Sequence, residues 1–167
     1  MLSLKESLII LEETNALIEG HFILSSGLHS PKYVQCAQLL SKPNKALKIC
    51  ESLASKIQKE FNDFDLILSP AMGGIIVGYE LGKILKKQTI FSERVNGKFK
   101  LRRDFKIKKK DKVLIVEDVI TTGKSSIECS KLVSLNNASV VGYACIIDRS
   151  NGKSEIKEKI VSQVKLN

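Results

Sequence analysis

The chain has 167 residues, 43% of them apolar and 27% charged, which is enough for one globular domain with its own core and argues against global disorder. Mean hydropathy is -0.01 and no stretch approaches the roughly 18 apolar residues of a membrane span. Lys+Arg number 27 against 18 Asp+Glu, a net charge of +9 that favours anionic partners, while 5% aromatics and no Trp supply base-stacking platforms poorly. Composition does not choose among nucleic acid, a membrane surface and phosphorylated small molecules, although the scarcity of aromatics tilts it toward phosphates; the partners expected from the whole sequence are small molecules, with no nucleic acid and no membrane.

The opening Met1-Leu2-Ser3-Leu4-Lys5-Glu6 lacks the basic region and apolar core of a secretory leader. Leu4, Leu8, Leu11 and Ile18 then lie at helical spacing and predict an amphipathic helix over 2–19, ending near Gly20. His21–Gln38, around Ser25-Ser26-Gly27, reads as a short hairpin or extended loop. Pro43 opens a helix with Ala46, Leu47, Cys50, Leu53, Ala54 and Ile57 on one face.

From there the chain alternates. Phe64–Leu68 reads as a strand and Gly73–Lys86 as a helix. Thr89–Val95 and Lys98–Arg102 are strands around Asn96-Gly97, the strongest short hairpin signal. Lys106–Lys112 is a basic linker, Val113–Val116 a buried strand, Lys124–Leu135 a helix and Ser139–Ile147 another strand. Ser154–Leu166 reads as a short helix and a short strand. The expected fold is α/β, a mostly parallel central sheet flanked by helices with a small N-terminal hood. One domain spans 1–167, with the hood over about 1–40 and the core over about 41–167.

Cys36, Cys50, Cys129 and Cys145 form no C-x-x-C pair, and His21 and His29 complete no zinc pattern. Buried thiols in a reducing, cytoplasmic setting are expected.

The chemistry concentrates in Val113-Leu114-Ile115-Val116-Glu117-Asp118-Val119-Ile120-Thr121-Thr122-Gly123-Lys124-Ser125-Ser126. A buried parallel strand ends in two acids, and a loop of hydroxyls and a glycine opens a helix. Ligands gather beyond the carboxyl ends of such strands. Thr121–Ser125 can present N–H groups and hydroxyls to an anion, and Gly123 allows close approach. Two acids would repel a phosphate unless they bind sugar hydroxyls or a cation. Acids and cradle together describe a ribose 5-phosphate site. The bland alternative is a capped strand–helix junction with solvated acids. A Walker A loop needs glycine where Asp118 stands and fails there.

This string resembles the ribose-phosphate signature of type I phosphoribosyltransferases: an apolar strand, two acids, two variable residues, then Thr-Thr-Gly. Gly20–Tyr33 resembles the hood segment of the orotate phosphoribosyltransferase family, Ser69–Glu80 its diphosphate-side loop, and Phe91–Arg94 through Leu101–Arg103 its mobile-loop hairpin. The resemblance spans about residues 7–149.

It implies transfer of ribose 5-phosphate from 5-phosphoribosyl 1-diphosphate to orotate, a step of pyrimidine (UMP) synthesis. Magnesium would be bound with the diphosphate and not directly by the chain, and homodimers would share active sites. It places the donor on Glu117, Asp118, Val119, Ile120, Thr121, Thr122, Gly123, Lys124 and Ser125, and orotate on Thr121 and Arg149. The diphosphate side falls on Ala71, Met72, Gly73 and Gly74, with a non-proline cis peptide expected near Ala71-Met72. Asp118, Arg94 and Lys98 are the catalytic candidates.

The sequence departs from the family where Ser25 replaces a frequent lysine and where the basic segment 94–112 contains no histidine. That segment reads as too charged for the core, and hence mobile until diphosphate neutralises it. The alternatives are a transferase acting on another base, such as a purine, and a non-catalytic regulator of the same fold.

Overall fold

A computed structural model describes residues 1–167. Helix α1 covers Leu4–Glu13. Its start is a reciprocal cap: the Ser3 hydroxyl accepts the Glu6 N–H, and the Glu6 carboxylate accepts the Ser3 N–H. The helix stops short of the expected residue 19. Thr14 turns its hydroxyl onto the Ile10 carbonyl, and Asn15 adopts a left-handed φ of 57°. Leu17 and Ile18 instead pair with Val34 and Tyr33, in a hairpin of β1 (Leu17–Ile23) and β2 (His29–Val34). A short helix that the periodicity did not announce, α2 (Cys36–Leu40), leads to α3 (Pro43–Glu60). Helix α3 begins at its proline and buries Ala46, Ile49, Cys50, Leu53, Ala54 and Ile57, while Leu47 stays half-buried.

The remainder runs β3 (Leu66–Pro70), α4 (Gly73–Leu85), β4 (Gln88–Val95), β5 (Lys98–Leu101), β6 (Lys112–Ile120), α5 (Lys124–Leu135), β7 (Ser139–Asp148) and β8 (Ile160–Lys165). The six-stranded sheet has the order β5-β4-β3-β6-β7-β8, and only the β4–β5 pair is antiparallel. The mostly parallel sheet is thus as expected. Along β6, Leu114 and Val116 join the apolar cluster shared with α1, α3 and α4, while Val113 and Ile115 join the one under α5. A strand covered on both faces reads as a continuous apolar run for this reason. Truncating fully buried Leu114 or Ile115 to alanine costs about 2–5 kcal/mol.

Three boundaries differ from the sequence reading. Phe64 is buried but precedes its strand, which starts at Leu66. Strand β6 runs through both acids to Ile120, because β7 continues to pair with it as far as Ile120↔Asp148. The tail contains β8 but no helix. Instead, residues 150–159 form irregular chain that seats Ile156 in the core under α5.

Candidate active site

The strand order places β3 and β6 side by side, and the chain leaves them in opposite directions. From β3 it passes through α4 to β4; from β6 it passes through α5 to β7. The sheet therefore has its topological switch between the carboxyl ends of β3 and β6, where such folds open a crevice. The two loops singled out from the sequence, at 71–74 and 121–125, both lie there.

On the β3 side, the Ala71 N–H donates to the Ser92 carbonyl at 2.8 Å, and the Ala71–Met72 peptide is cis, as the resemblance implied. Gly73 and Gly74 open α4 against β6. A Cβ on Gly74 would fall 2.8 Å from the Val116 carbonyl oxygen, and one on Gly73 would fall 2.7 Å from the Asp118 carboxylate. Neither position has room for a side chain. Like any helix start, the first turn of α4 offers N–H groups without intrahelical partners, and here it does so beside the acid pair.

Those acids constrain each other. Asp118 Oδ1 accepts the Val119 N–H at 2.8 Å, and Glu117 Oε1 accepts the Asp118 N–H at 3.2 Å. Burial, and then the neighbouring Asp118 charge, pushes the Glu117 carboxyl up to about 9. At neutral pH the site thus pairs a neutral Glu117 with Asp118. The neutral Glu117 carboxyl supplies a donor as well as an acceptor beside the Asp118 oxygens, the combination that a vicinal diol can use.

On the β6 side, Gly123 has a φ of 82° and precedes α5. The Lys124 N–H reaches Thr122 Oγ1 at 3.3 Å, a hydrogen bond within the loop, while the N-cap itself is Gly123 and has no side chain to cap with. Glu117, Val119, Ile120 and residues 121–126 line a recess of about 80 Å³, suited to a small anion. The irregular tail supports it from behind. A Cβ on Gly123 would strike Ser154 Oγ at 2.7 Å and Ile156 at 2.8 Å, and the Glu155 N–H donates to the Thr122 carbonyl. No local signal marks Ser154 or Ile156 as cradle supports, since they lie some thirty residues downstream. A larger hollow of about 560 Å³ beyond β7 and β8 contains none of the expected site residues. The expected donor-binding residues line the smaller recess instead.

Arg149 follows β7 at the same edge. Its N–H donates to the Ile120 carbonyl at 2.8 Å, and its Nη2 donates to Ser30 Oγ of β2 at 3.3 Å, so the N-terminal hairpin reaches over this end of the crevice. Thr121 is exposed beside it. Arg149→Lys keeps the charge and loses the planar fork. On the role that the resemblance implies for Arg149, the expected result is a KM for orotate raised about 10- to 100-fold with a smaller change for the phosphoribosyl donor, as read by steady-state kinetics. Equal effects on both substrates would make Arg149 a structural residue.

The basic hairpin divides the two remaining candidates. Asn96 and Gly97 have φ of 52° and 78°, the pair of left-handed residues that a two-residue turn requires. Arg94 lies opposite Phe99 and Val95 opposite Lys98, so Arg94 and Lys98 leave the ribbon on opposite faces. Arg94 turns to its own α5, with Nη1 2.8 Å from Glu128 Oε2 and 3.0 Å from the Gly97 carbonyl, and the guanidinium 4.2 Å over the Phe99 ring. Lys98 is exposed and unpaired. The expectation that 94–112 is too charged for core contacts is corrected: Phe99 and Ile107 are buried, and at the surface Arg103 holds Glu93 through Nε and Nη2. The charge run conceals its apolar residues by alternating with them. All four cysteines are free and buried. Burial pushes Cys50 and Cys129 up to about 12, so neither supplies a thiolate.

Comparison with known proteins agrees with this geometry. The family described as phosphoribosyl transferase domain matches residues 35–167. The orotate phosphoribosyltransferase of Parvibaculum lavamentivorans is 45% identical over 156 residues, covering 93% of this chain and 80% of that one. Among solved structures, orotate phosphoribosyltransferase from Aeropyrum pernix superposes with a TM-score of 0.82 at 23% identity, over 95% of this chain and 92% of that one. Adenine phosphoribosyltransferase from Thermoanaerobacter pseudethanolicus superposes with a TM-score of 0.76 at 20% identity, over 93% and 99% of the two chains. The structural likenesses establish the fold, and a sequence match over most of both chains establishes more: the chain belongs to the orotate phosphoribosyltransferase family of phosphoribosyl transferases.

Proposed function

We propose that the protein transfers the ribose 5-phosphate of 5-phosphoribosyl 1-diphosphate to N1 of orotate, releasing diphosphate and forming orotidine 5-phosphate for pyrimidine nucleotide synthesis. The observation that carries this reading is the crevice between β3 and β6, where the Gly73 backbone, the Asp118 carboxylate and the Thr121–Ser125 cradle share one edge. The cradle takes the 5-phosphate, Glu117 and Asp118 the ribose hydroxyls, and the first turn of α4 the diphosphate. Arg149 and Thr121 hold orotate against the far side of the ribose.

The C1–diphosphate bond breaks as the bond to N1 forms, through an oxocarbenium-like state. Catalysis is positioning and charge stabilisation. Asp118, beside the ribose, opposes the developing positive charge, and cations neutralise the departing diphosphate. No group of three or more His, Cys, Asp or Glu side chains converges on a metal position. Magnesium in this reading belongs to the substrate, carried in on the diphosphate. A diphosphate-release assay with orotate and magnesium tests the reaction. Thermal shifts with orotate and with purines, each in the presence of diphosphate, test the acceptor.

The same reading includes a homodimer in the cytoplasm. No helix is long and apolar enough to cross a membrane. Helix α4 and its cap expose Met72, Ile76 and Tyr79 at helical spacing, an apolar stripe suited to a second copy of the chain. Lys98, facing away from its own α5, would serve the diphosphate of the neighbouring site. Lys98→Ala and Asp118→Asn proteins, each weakly active alone, should then recover activity on mixing, because hybrid dimers hold one intact site. No recovery despite proven subunit exchange would confine Lys98 to its own subunit or remove it from catalysis.

A further inference from the structure

Arg94 and Glu128 meet at a surface contact, with the Arg94 side chain 42% and the Glu128 side chain 24% exposed, that the ribose-phosphate signature does not include. Glu128 stands four residues after Lys124, the first residue of α5. It therefore lies about 6 Å, roughly one helical turn, along the helix from the phosphate cradle. Beside it, Cys129 Sγ and Ser92 Oγ approach to 3.1 Å in the core. Two neighbouring residues of β4, Ser92 and Arg94, are thereby matched to two neighbouring residues of α5, Cys129 and Glu128. The β4–β5 hairpin is locked to the helix that carries the cradle.

The way Arg94 is held matters more than the fact that it is held. A guanidinium has five N–H donors. Glu128 and the Gly97 carbonyl both engage Nη1, and Phe99 covers one face of the group. Nε and Nη2 make no hydrogen bond within the chain. They form the edge of the fork that matches two oxygens of a phosphate group. An ion pair serving stability alone has no need to spare that edge. At an exposed position such a pair contributes only about 0.2–1 kcal/mol.

We infer that Glu128 is a positioning residue for the reaction: it fixes the Arg94 guanidinium two residues beyond the Ser92 carbonyl that holds the Ala71 N–H of the diphosphate-side loop, with the Nε/Nη2 edge left open for the diphosphate group. This rests on the reading of the site as a phosphoribosyltransferase centre. It adds to that reading a carboxylate that acts only through Arg94.

The inference predicts a sign opposite to simple electrostatics. Removing a negative charge near an anion site should tighten anion binding if charge alone operates. If Glu128 orients Arg94, its removal should weaken binding. Calorimetric titration of the intact protein with magnesium diphosphate distinguishes the two without requiring turnover. We expect Glu128→Gln to weaken diphosphate binding about tenfold and Glu128→Asp to weaken it less. The KM for orotate and the melting temperature should stay close to wild type. In an Arg94→Ala background, Glu128→Gln should have no further effect, because the two residues act as one unit. Tighter or unchanged binding in Glu128→Gln overturns the inference, and so do additive effects of the two substitutions. Failure of the wild-type protein to bind diphosphate overturns it too. Diphosphate binding that depends on Glu128 without any turnover of orotate would overturn the acceptor reading and leave this inference standing.

Discussion

Asp118→Asn should lower kcat/KM by about 10²- to 10³-fold while changing stability by less than about 1 kcal/mol. The asymmetry follows from the contacts of the carboxylate. Its one hydrogen bond within the chain is accepted by Oδ1 from the Val119 N–H, and an asparagine oxygen can accept the same bond. The isosteric amide also fits the space against Gly73, where a Cβ would come within 2.7 Å of Oδ1. The fold therefore loses little. The reaction loses a full negative charge where positive charge develops on the ribose, and an acceptor oxygen is replaced by a donor. Calorimetric melting and diphosphate release, measured on the same preparation, check the two halves. Wild-type turnover in this variant would remove Asp118 from the ribose site. A large fall in melting temperature would make it a structural residue.

Glu117 should show the reverse, a residue kept at the expense of stability. Its carboxyl is raised from 4.5 to about 9, first by burial and then by the Asp118 charge. The folded protein therefore holds this proton more tightly than the unfolded chain does. Between about pH 4.5 and pH 9 the unfolded state is deprotonated while the folded state still resists ionisation. The favourable contribution of the neutral group is complete below about 4.5 and is lost progressively as pH rises to about 9. Glu117→Gln cannot ionise and removes this slope. At pH 8 the variant should be more stable than wild type by up to about 5 kcal/mol, about 1.4 kcal/mol for each pH unit above 4.5, or about 10–20 °C in melting temperature. The gap should close towards pH 4.5. Melting curves across that pH range decide the matter. A constant offset between the two proteins would mean that Glu117 ionises normally and is not desolvated by the site.

Much of this protein was legible in one dimension. The run Val113–Val116 declares a strand buried on both faces, because residues of both parities are apolar. Glu117-Asp118 followed by Thr121-Thr122-Gly123 declares acids beside an anion cradle, because the spacing is set by one strand end and one helix start. Asn96-Gly97 declares a tight hairpin, because both residues tolerate left-handed backbone. These signals are local: a few consecutive residues contain the whole physical cause.

What the tertiary structure decided are matters in which one segment answers to another distant in sequence. Leu17 and Ile18 fit a helix by spacing, yet became a strand because Val34 and Tyr33 were available to pair with them. The acids remained within β6 because β7 continued beside them. Ser154 and Ile156, silent in the sequence, fill the space that Gly123 leaves behind the cradle. Arg94 and Lys98, equivalent as charges in a basic run, were separated by strand pairing onto opposite faces, one held by Glu128 and the other free. Composition and spacing fix which chemistry the chain can supply. Only the pairing of distant strands and helices fixes which of its charges can meet.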